Sequence, residues 1–175
     1  MQDFAELIYP IIAKHGQEEW NIINRTNFFH NHLGIFSIIG AKMGLRAREV
    51  LGAGHNQLQV RSFAGSTPPR SCLNDGLQIS TGATLGNGKI SVATVHEPFP
   101  RAIFYNGDDS ICLALKLQYL DCIEKNITHA VSCFDRGTEE YWYFIRQQGL
   151  RCWHEWNRAD IFTIDRCSDP LLFSE

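Results

Sequence analysis

The stretch FHNHLGIFSIIGAKMGLRAREVLG, residues 29–52, carries the strongest helix signal of the chain. Over residues 33–51 apolar side chains recur at the spacing of one helix face, and Gly52 is a typical helix terminator. The pattern therefore predicts a main helix that packs on a core. His30 and His32 stand one residue apart at the entrance of this helix.

The sequence that follows predicts an alternation of strands and helices. Residues 57–63 (QLQVRSF) alternate polar and apolar residues, as a half-buried strand does. A second helix is expected to begin with Ser71 as its N-cap and to end at Gly82. Two further strands are predicted at residues 89–97 (KISVATVHE) and 101–107 (RAIFYNG).

The C-terminal half predicts two more helices and a closing strand. One of the polar residues at 108–110 (DDS) is expected to cap a helix that runs through Cys122. Residues 137–149 (GTEEYWYFIRQQG) predict another helix, and residues 160–164 (DIFTI) predict a short strand. Helices and strands in this order favour the α+β class.

The length of 175 residues predicts a single domain with a substantial core. We expect an amphipathic N-terminal helix at residues 1–20 that Pro10 bends or restarts. A motif core at residues 28–106 and a C-terminal extension at residues 107–175 complete the predicted organisation.

Composition excludes two classes of partner. The formal net charge is −3, and no run of lysines and arginines provides a stripe for phosphate backbones, so we predict no nucleic-acid partner. No run approaches the ~18 apolar residues of a membrane span, so we predict no membrane insertion. The opening residues lack the pattern of a secretory signal, and the protein is therefore expected to be cytoplasmic.

Three residues suggest a metal site. Two histidines at i and i+2 point the same way on an extended segment and can converge on one ion. Cys72 is predicted in the first turn of a helix, where free N–H groups favour a thiolate ligand. His30, His32 and Cys72 would form a mixed site suited to zinc, with nickel, cobalt or iron as alternatives, and with one position open for water or substrate.

Asp75 lies three residues after Cys72, on the same predicted helix face. It could orient a ligand histidine or act as the base toward the water at the open position, and we predict it as the catalytic residue. An acid that only interacts with the helix dipole is an equally good interpretation on spacing alone. The histidines, likewise, could simply pack at a helix start.

Two separated motifs resemble the FmdE-like family, which takes its name from one of the subunits of formylmethanofuran dehydrogenase. In that family an H-G-H motif opens a helix, and an S-C-x-x-D-G-x-Q-x-x-T-G segment follows it. Residues 29–52 match the first motif, and residues 68–92 (PPRSCLNDGLQISTGATLGNGKISV) match the second in order and spacing. The resemblance is dense from Phe28 to about Val95.

The resemblance implies an α+β core with a helix, a strand, a helix and three further strands, with a mixed sheet and usually a homodimer. It also implies a metal site at His30, His32 and Cys72, with Asp75 beside it. The chain departs from the family where Asn31 replaces the glycine between the histidines and where thiolates of the relatives are missing. Coordination dominated by histidine is therefore expected.

These observations predict a divalent-metal-binding protein whose open site activates water or a small-molecule ligand. The alternative is a non-catalytic metal carrier or an accessory module of a larger oxidoreductase. The chain has no thiolate pattern for iron–sulfur clusters, so it is not expected to be the dehydrogenase itself. Whether it is an enzyme is left open by the sequence.

Overall fold

The computed structural model of the protein describes residues 4–167, with side chains from residue 8 onward. The predicted positions at 1–3 and 168–175 lie outside the described residues. Helices and strands alternate along the described chain. They are α1 (Phe4–His15), α2 (Gln17–His30), α3 (Ile35–Val50), β1 (Gln59–Ser62), α4 (Leu73–Thr81), β2 (Ile90–Val92), β3 (Arg101–Asn106), β4 (Asp109–Leu115), α5 (Leu117–Cys133), α6 (Glu139–Glu155) and β5 (Phe162–Arg166).

The five strands form one mixed sheet with the order β2-β1-β3-β4-β5. Strands β1 and β2 are parallel, and the other three pairings are antiparallel. The α+β prediction is confirmed, and α3, β1, α4, β2, β3 and β4 follow in the order that the family resemblance implied. The homodimer stays a prediction.

The N-terminal region differs from the single bent helix predicted at residues 1–20. It contains two helices, and the break between α1 and α2 falls at Gly16, whose φ is 87°. Pro10 lies inside α1 rather than at the break. Glycine reaches this positive φ without a Cβ clash, so the chain turns at Gly16 instead.

The helix predicted to start at residues 108–110 and run through Cys122 is wrong in its first half. That segment is β4, paired with β3 through a tight turn in which Gly107 has a φ of 62°. Ile111, Leu113 and Leu115 alternate into the core along β4. The polar residues at 108–110 therefore serve the turn and strand start, and the helix begins only at Leu117.

Helices α3 and α4 pack with their backbones in close contact. A Cβ built on Gly40 of α3 would lie 2.1 Å from Leu73 O, and one built on Gly76 of α4 would lie 2.1 Å from Ser37 O. Only glycine permits this approach. The contact holds the first turn of α4 against the start of α3 and thereby positions the residues of the site.

A buried ionic cluster ties the helices to one another. Lys42 of α3 and Glu19 of α2 are both fully buried, with 2.6 Å between Lys42 Nζ and Glu19 Oε1. Lys42 Nζ also donates hydrogen bonds to the carbonyls of Trp153 and Trp156, and Arg158 pairs with the second Glu19 oxygen at 2.8 Å. This network satisfies charges that would otherwise be costly inside the core.

Within residues 4–167, every helix falls short of the length and apolar character that a membrane crossing requires.

Candidate functional site

The two histidines lie at the end of one helix rather than at the entrance of the next. His30 is the last residue of α2, and His32 lies in the short connection before α3. Asn31 between them is the C-cap of α2 and has a φ of 64°. Asparagine tolerates this left-handed conformation better than most residues, and glycine does so freely, which accounts for the exchange of one for the other at this position.

Because the chain turns at Asn31, the histidines do not lie side by side along an extended strand. Their rings pack against each other instead, with 4.2 Å between centroids and 38° between planes. The His32 ring also contacts Trp142 of α6, with 4.8 Å between the centroids. His32 is therefore held between two rings.

Cys72 is one position earlier than predicted. It is the last residue of a short 3-10 turn, Arg70–Cys72, and the N-cap residue of α4. The predicted cap, Ser71, lies inside that turn, and no side-chain hydrogen bond caps α4. Gly82 ends α4 in the left-handed conformation, as predicted.

The structure brings His30 against Asp75. His30 Nδ1 donates a hydrogen bond to Asp75 Oδ2 over 2.6 Å, with the His30 side chain 10% exposed. This hydrogen bond, together with the neighbouring Cys72 thiol, raises the pKa of His30 to about 9 in spite of burial. His30, Cys72 and Asp75 thus form one contiguous group built from α2 and α4.

The other nitrogen of His30 has no such partner. His30 Nε2 is buried and forms no hydrogen bond of normal geometry with the described residues. A Cβ built on Gly34 would lie 3.1 Å from it, so the missing side chain at this position leaves space in front of the nitrogen. A buried polar atom without a partner is unusual and calls for an explanation, such as an ion.

The environment of His32 differs from that of His30. Burial, followed by the positive charge of His30, lowers the pKa of His32. A neutral imidazole is the form that coordinates metals. Across residues 4–167, however, no three His, Cys, Asp or Glu side chains stand together as a ready metal-binding group. The donor types suit a metal, while His32 is turned toward the His30 and Trp142 rings.

A cavity of about 420 Å³ adjoins the group. His30, His32, Gly34 and Cys72 line one part of it. The remaining wall is largely apolar and aromatic, and it comes from α3, the Pro68–Pro69 turn, α5 and α6. Binding pockets for small molecules are typically of this size and character.

Sequence reasoning missed the α6 wall of this cavity, in particular Tyr141, Trp142 and Arg136 just before the helix. The aromatic run in residues 137–149 was the available signal, since it predicts a helix with more aromatic surface than one core face needs. Nothing in the sequence tied that helix to the histidines more than a hundred residues earlier.

The six cysteines are all free. Burial raises the pKa of Cys152 to about 12 and that of Cys112 to about 11, which keeps both as thiols at neutral pH. Cys122 and Cys133 are exposed on α5. Only Cys72 lines the cavity beside the histidines.

Comparison with known proteins gives consistent matches. Residues 29–157 match the family model described as "FmdE, Molybdenum formylmethanofuran dehydrogenase operon". The solved structure of an FmdE-like protein of tungsten formylmethanofuran dehydrogenase, from Syntrophus aciditrophicus, superposes with a TM-score of 0.54 at 18% identity. The superposition covers 85% of this chain and 71% of that one, and at this identity it shows a shared fold.

A second relative is matched over a shorter segment. It is a probable S-adenosyl-L-methionine-binding protein of Archaeoglobus fulgidus, 31% identical over 71 residues. The match covers 39% of this chain and spans 19% of the length of that relative.

Proposed function

The chain belongs to the FmdE family, and we propose that it binds a divalent metal ion, most readily zinc, through His30, Cys72 and His32. One observation carries this proposal: His30 presents a buried nitrogen, Nε2, that lacks a hydrogen-bond partner among the described residues. Gly34 leaves space before that nitrogen, and the Cys72 thiol lies beside the same ring.

The donor set supports zinc as the first candidate. Imidazole nitrogen and thiolate sulfur are the common zinc ligands, at about 2.0–2.1 Å and about 2.3 Å respectively. Nickel and iron also accept these donors, so the ligand set narrows the metal without fixing it. The ion would replace the proton that His30 carries in the metal-free protein.

Asp75 supports the proposal as a positioning residue. A ligand histidine commonly donates its other ring N–H to a carboxylate, which fixes the tautomer and the ring orientation. His30 Nδ1 and Asp75 Oδ2 have this relationship. The role of Asp75 as a base stays a prediction, and its hydrogen bond to His30 favours the orienting role.

His32 is the ligand that must move. Its ring packs on His30 and Trp142, and the described side chains do not form a complete three-ligand group. We propose that His32 leaves Trp142 when the ion enters, by rotation of its side chain. Its lowered pKa favours the neutral form that coordination needs.

Three protein ligands leave a coordination position open toward the cavity. When bound, the ion would act as a Lewis acid toward water or a small ligand at that position. The protein would contribute a dry, largely apolar enclosure around it. We infer a binding function first, and a metal-dependent enzyme if turnover accompanies binding.

The second candidate is a non-catalytic metal carrier or an accessory module of a larger oxidoreductase. The observation in its favour is the exposure of Phe28 and Phe29, 91% and 58%, directly before His30. Exposed aromatic side chains are typical of surfaces that contact another protein. A homodimer, which the family resemblance implies, would use such a surface as well.

Elemental analysis of the purified protein tests the proposal. The wild type is expected to hold about one ion per chain, which Cys72→Ser, His30→Ala and His32→Ala each remove or strongly reduce. Cys122→Ser is the matched control, because Cys122 is an exposed cysteine outside the cavity. Metal that is absent from the wild type after zinc loading, or that survives His30→Ala and Cys72→Ser, would overturn the proposal.

Exchange of the metal separates the two functions. A carrier should release zinc to a chelator within minutes and show no turnover, whereas an enzyme should retain the ion through a catalytic cycle.

A further inference from the structure

The cavity beside His30 carries a charge asymmetry that indicates its ligand. Arg136 lines it, is exposed at its edge, and forms no ion pair within residues 4–167. No aspartate or glutamate of the described chain lines this cavity. A fixed positive charge without a compensating acid favours an anion, whichever state the histidines adopt.

The rest of the wall indicates the body of that anion. Phe36, Tyr141 and Trp142 present aromatic surface, and Ile35, Ile127 and Ile145 present aliphatic surface. Aromatic rings stack on such walls in offset or edge-to-face geometry. The volume of about 420 Å³ accommodates a ring with a short side chain.

We propose that this cavity binds a small organic carboxylate with an apolar, ring-sized body, and that Arg136 is the residue that selects the carboxylate. The inference names the ligand class of the site proposed above and rests on that proposed function for its biological setting. The Arg136 contact itself is independent of the metal, because the guanidinium is charged at any physiological pH. The two claims can therefore fail separately.

The geometry also makes Arg136 a selective probe. The side chain is exposed and forms no ion pair with described residues, so replacing it should leave the fold intact. Arg25 is the matched control, since it lines a different groove, beside Phe28 and Phe29. Neither arginine is a proposed metal ligand.

Isothermal titration calorimetry with 3-phenylpropionate and the matched neutral 3-phenylpropionamide tests the proposal, on protein stripped with EDTA and on protein loaded with zinc. We expect the acid to bind about tenfold more tightly than the amide, as one charged contact allows. Arg136→Gln should remove that preference and leave the amide unaffected, and Arg25→Gln should change neither.

Equal affinity for acid and amide, or a preference that survives Arg136→Gln, would overturn the proposal. Zinc content measured on the same samples keeps the two claims apart. Zinc bound without carboxylate selectivity overturns the ligand class and leaves the metal proposal standing. Carboxylate selectivity in protein that binds no zinc supports the ligand class and overturns the metal proposal.

Discussion

His30 Nδ1 lies 2.6 Å from Asp75 Oδ2, and this hydrogen bond joins the last residue of α2 to the first turn of α4. The two residues are 45 positions apart in sequence. The close packing of α3 on α4 at Gly40 and Gly76 makes the contact possible, because it places the start of α4 beside the end of α2. The carboxylate thereby leaves His30 Nε2 as the free nitrogen of the ring.

The first prediction concerns this carboxylate. Asp75→Asn keeps the size of the side chain and removes its charge, so His30 loses the partner that fixes its orientation. Zinc affinity should fall about 10- to 100-fold, as for other carboxylates that hold a ligand histidine. Competition with a chromophoric chelator measures it, and Asp121→Asn on the exposed face of α5 is the control. Unchanged affinity would remove Asp75 from the site.

The second prediction concerns the space at Gly34. Gly34→Ala adds a Cβ 3.1 Å from His30 Nε2 and from Ser37 Oγ. The backbone there has a φ of −95°, which alanine adopts without strain, so the fold should survive. We expect zinc affinity to fall about tenfold through displacement of the ring, with folding stability changed by less than about 1 kcal/mol.

Gly86→Ala is the matched control for this substitution, because a Cβ there meets only Thr84 Oγ1 at 3.9 Å. If both variants bind zinc as the wild type does, the space in front of His30 Nε2 is not where the ion sits.

The third prediction concerns the buried cation. Lys42→Met leaves Glu19 with Arg158 alone and leaves the carbonyls of Trp153 and Trp156 without their shared donor. Breaking a buried pair in this way should lower the free energy of unfolding by about 3 kcal/mol. Urea denaturation measures it. Lys125→Met on the exposed face of α5 should cost less than about 0.5 kcal/mol, and equal losses would contradict the assigned role.

Much of the fold could be predicted because local signals and tertiary structure agree in those segments. The long helix α3 and the glycine that ends α4 follow from apolar periodicity and from a position that requires positive φ. The helix start predicted at residues 108–110 is wrong because aspartate and serine suit both a helix start and a tight turn. Pairing with β3, a non-local interaction, decides between these alternatives.

The site could be predicted in part. The pattern and the family resemblance identified His30, His32, Cys72 and Asp75, and the structure brings His30, Cys72 and Asp75 into contact. The stacking of His32 on Trp142 could not be predicted, because it depends on how α6 packs across the chain. Spacing in sequence carries no information about such a contact.

The last prediction concerns pH. His15 is 5% exposed and its Nε2–H donates to the His154 carbonyl over 3.0 Å. Burial, followed by the charge of Lys42, lowers the pKa of His15, although Glu19 acts in the opposite direction. Below the unfolded value of about 6.5 the unfolded chain therefore binds more protons than the folded one. The contribution of His15 to stability is thus present above that pH and is lost as the pH falls toward the folded pKa.

His15→Gln removes this titration and retains an N–H donor for the His154 carbonyl. The free energy of unfolding of the wild type should fall more steeply than that of the variant between about pH 7 and about pH 5, and urea denaturation at several pH values in this range measures the difference. Parallel curves would mean that His15 protonates as readily in the folded protein as in the unfolded chain. A steeper fall in the variant would reverse the sign assigned to the burial of His15.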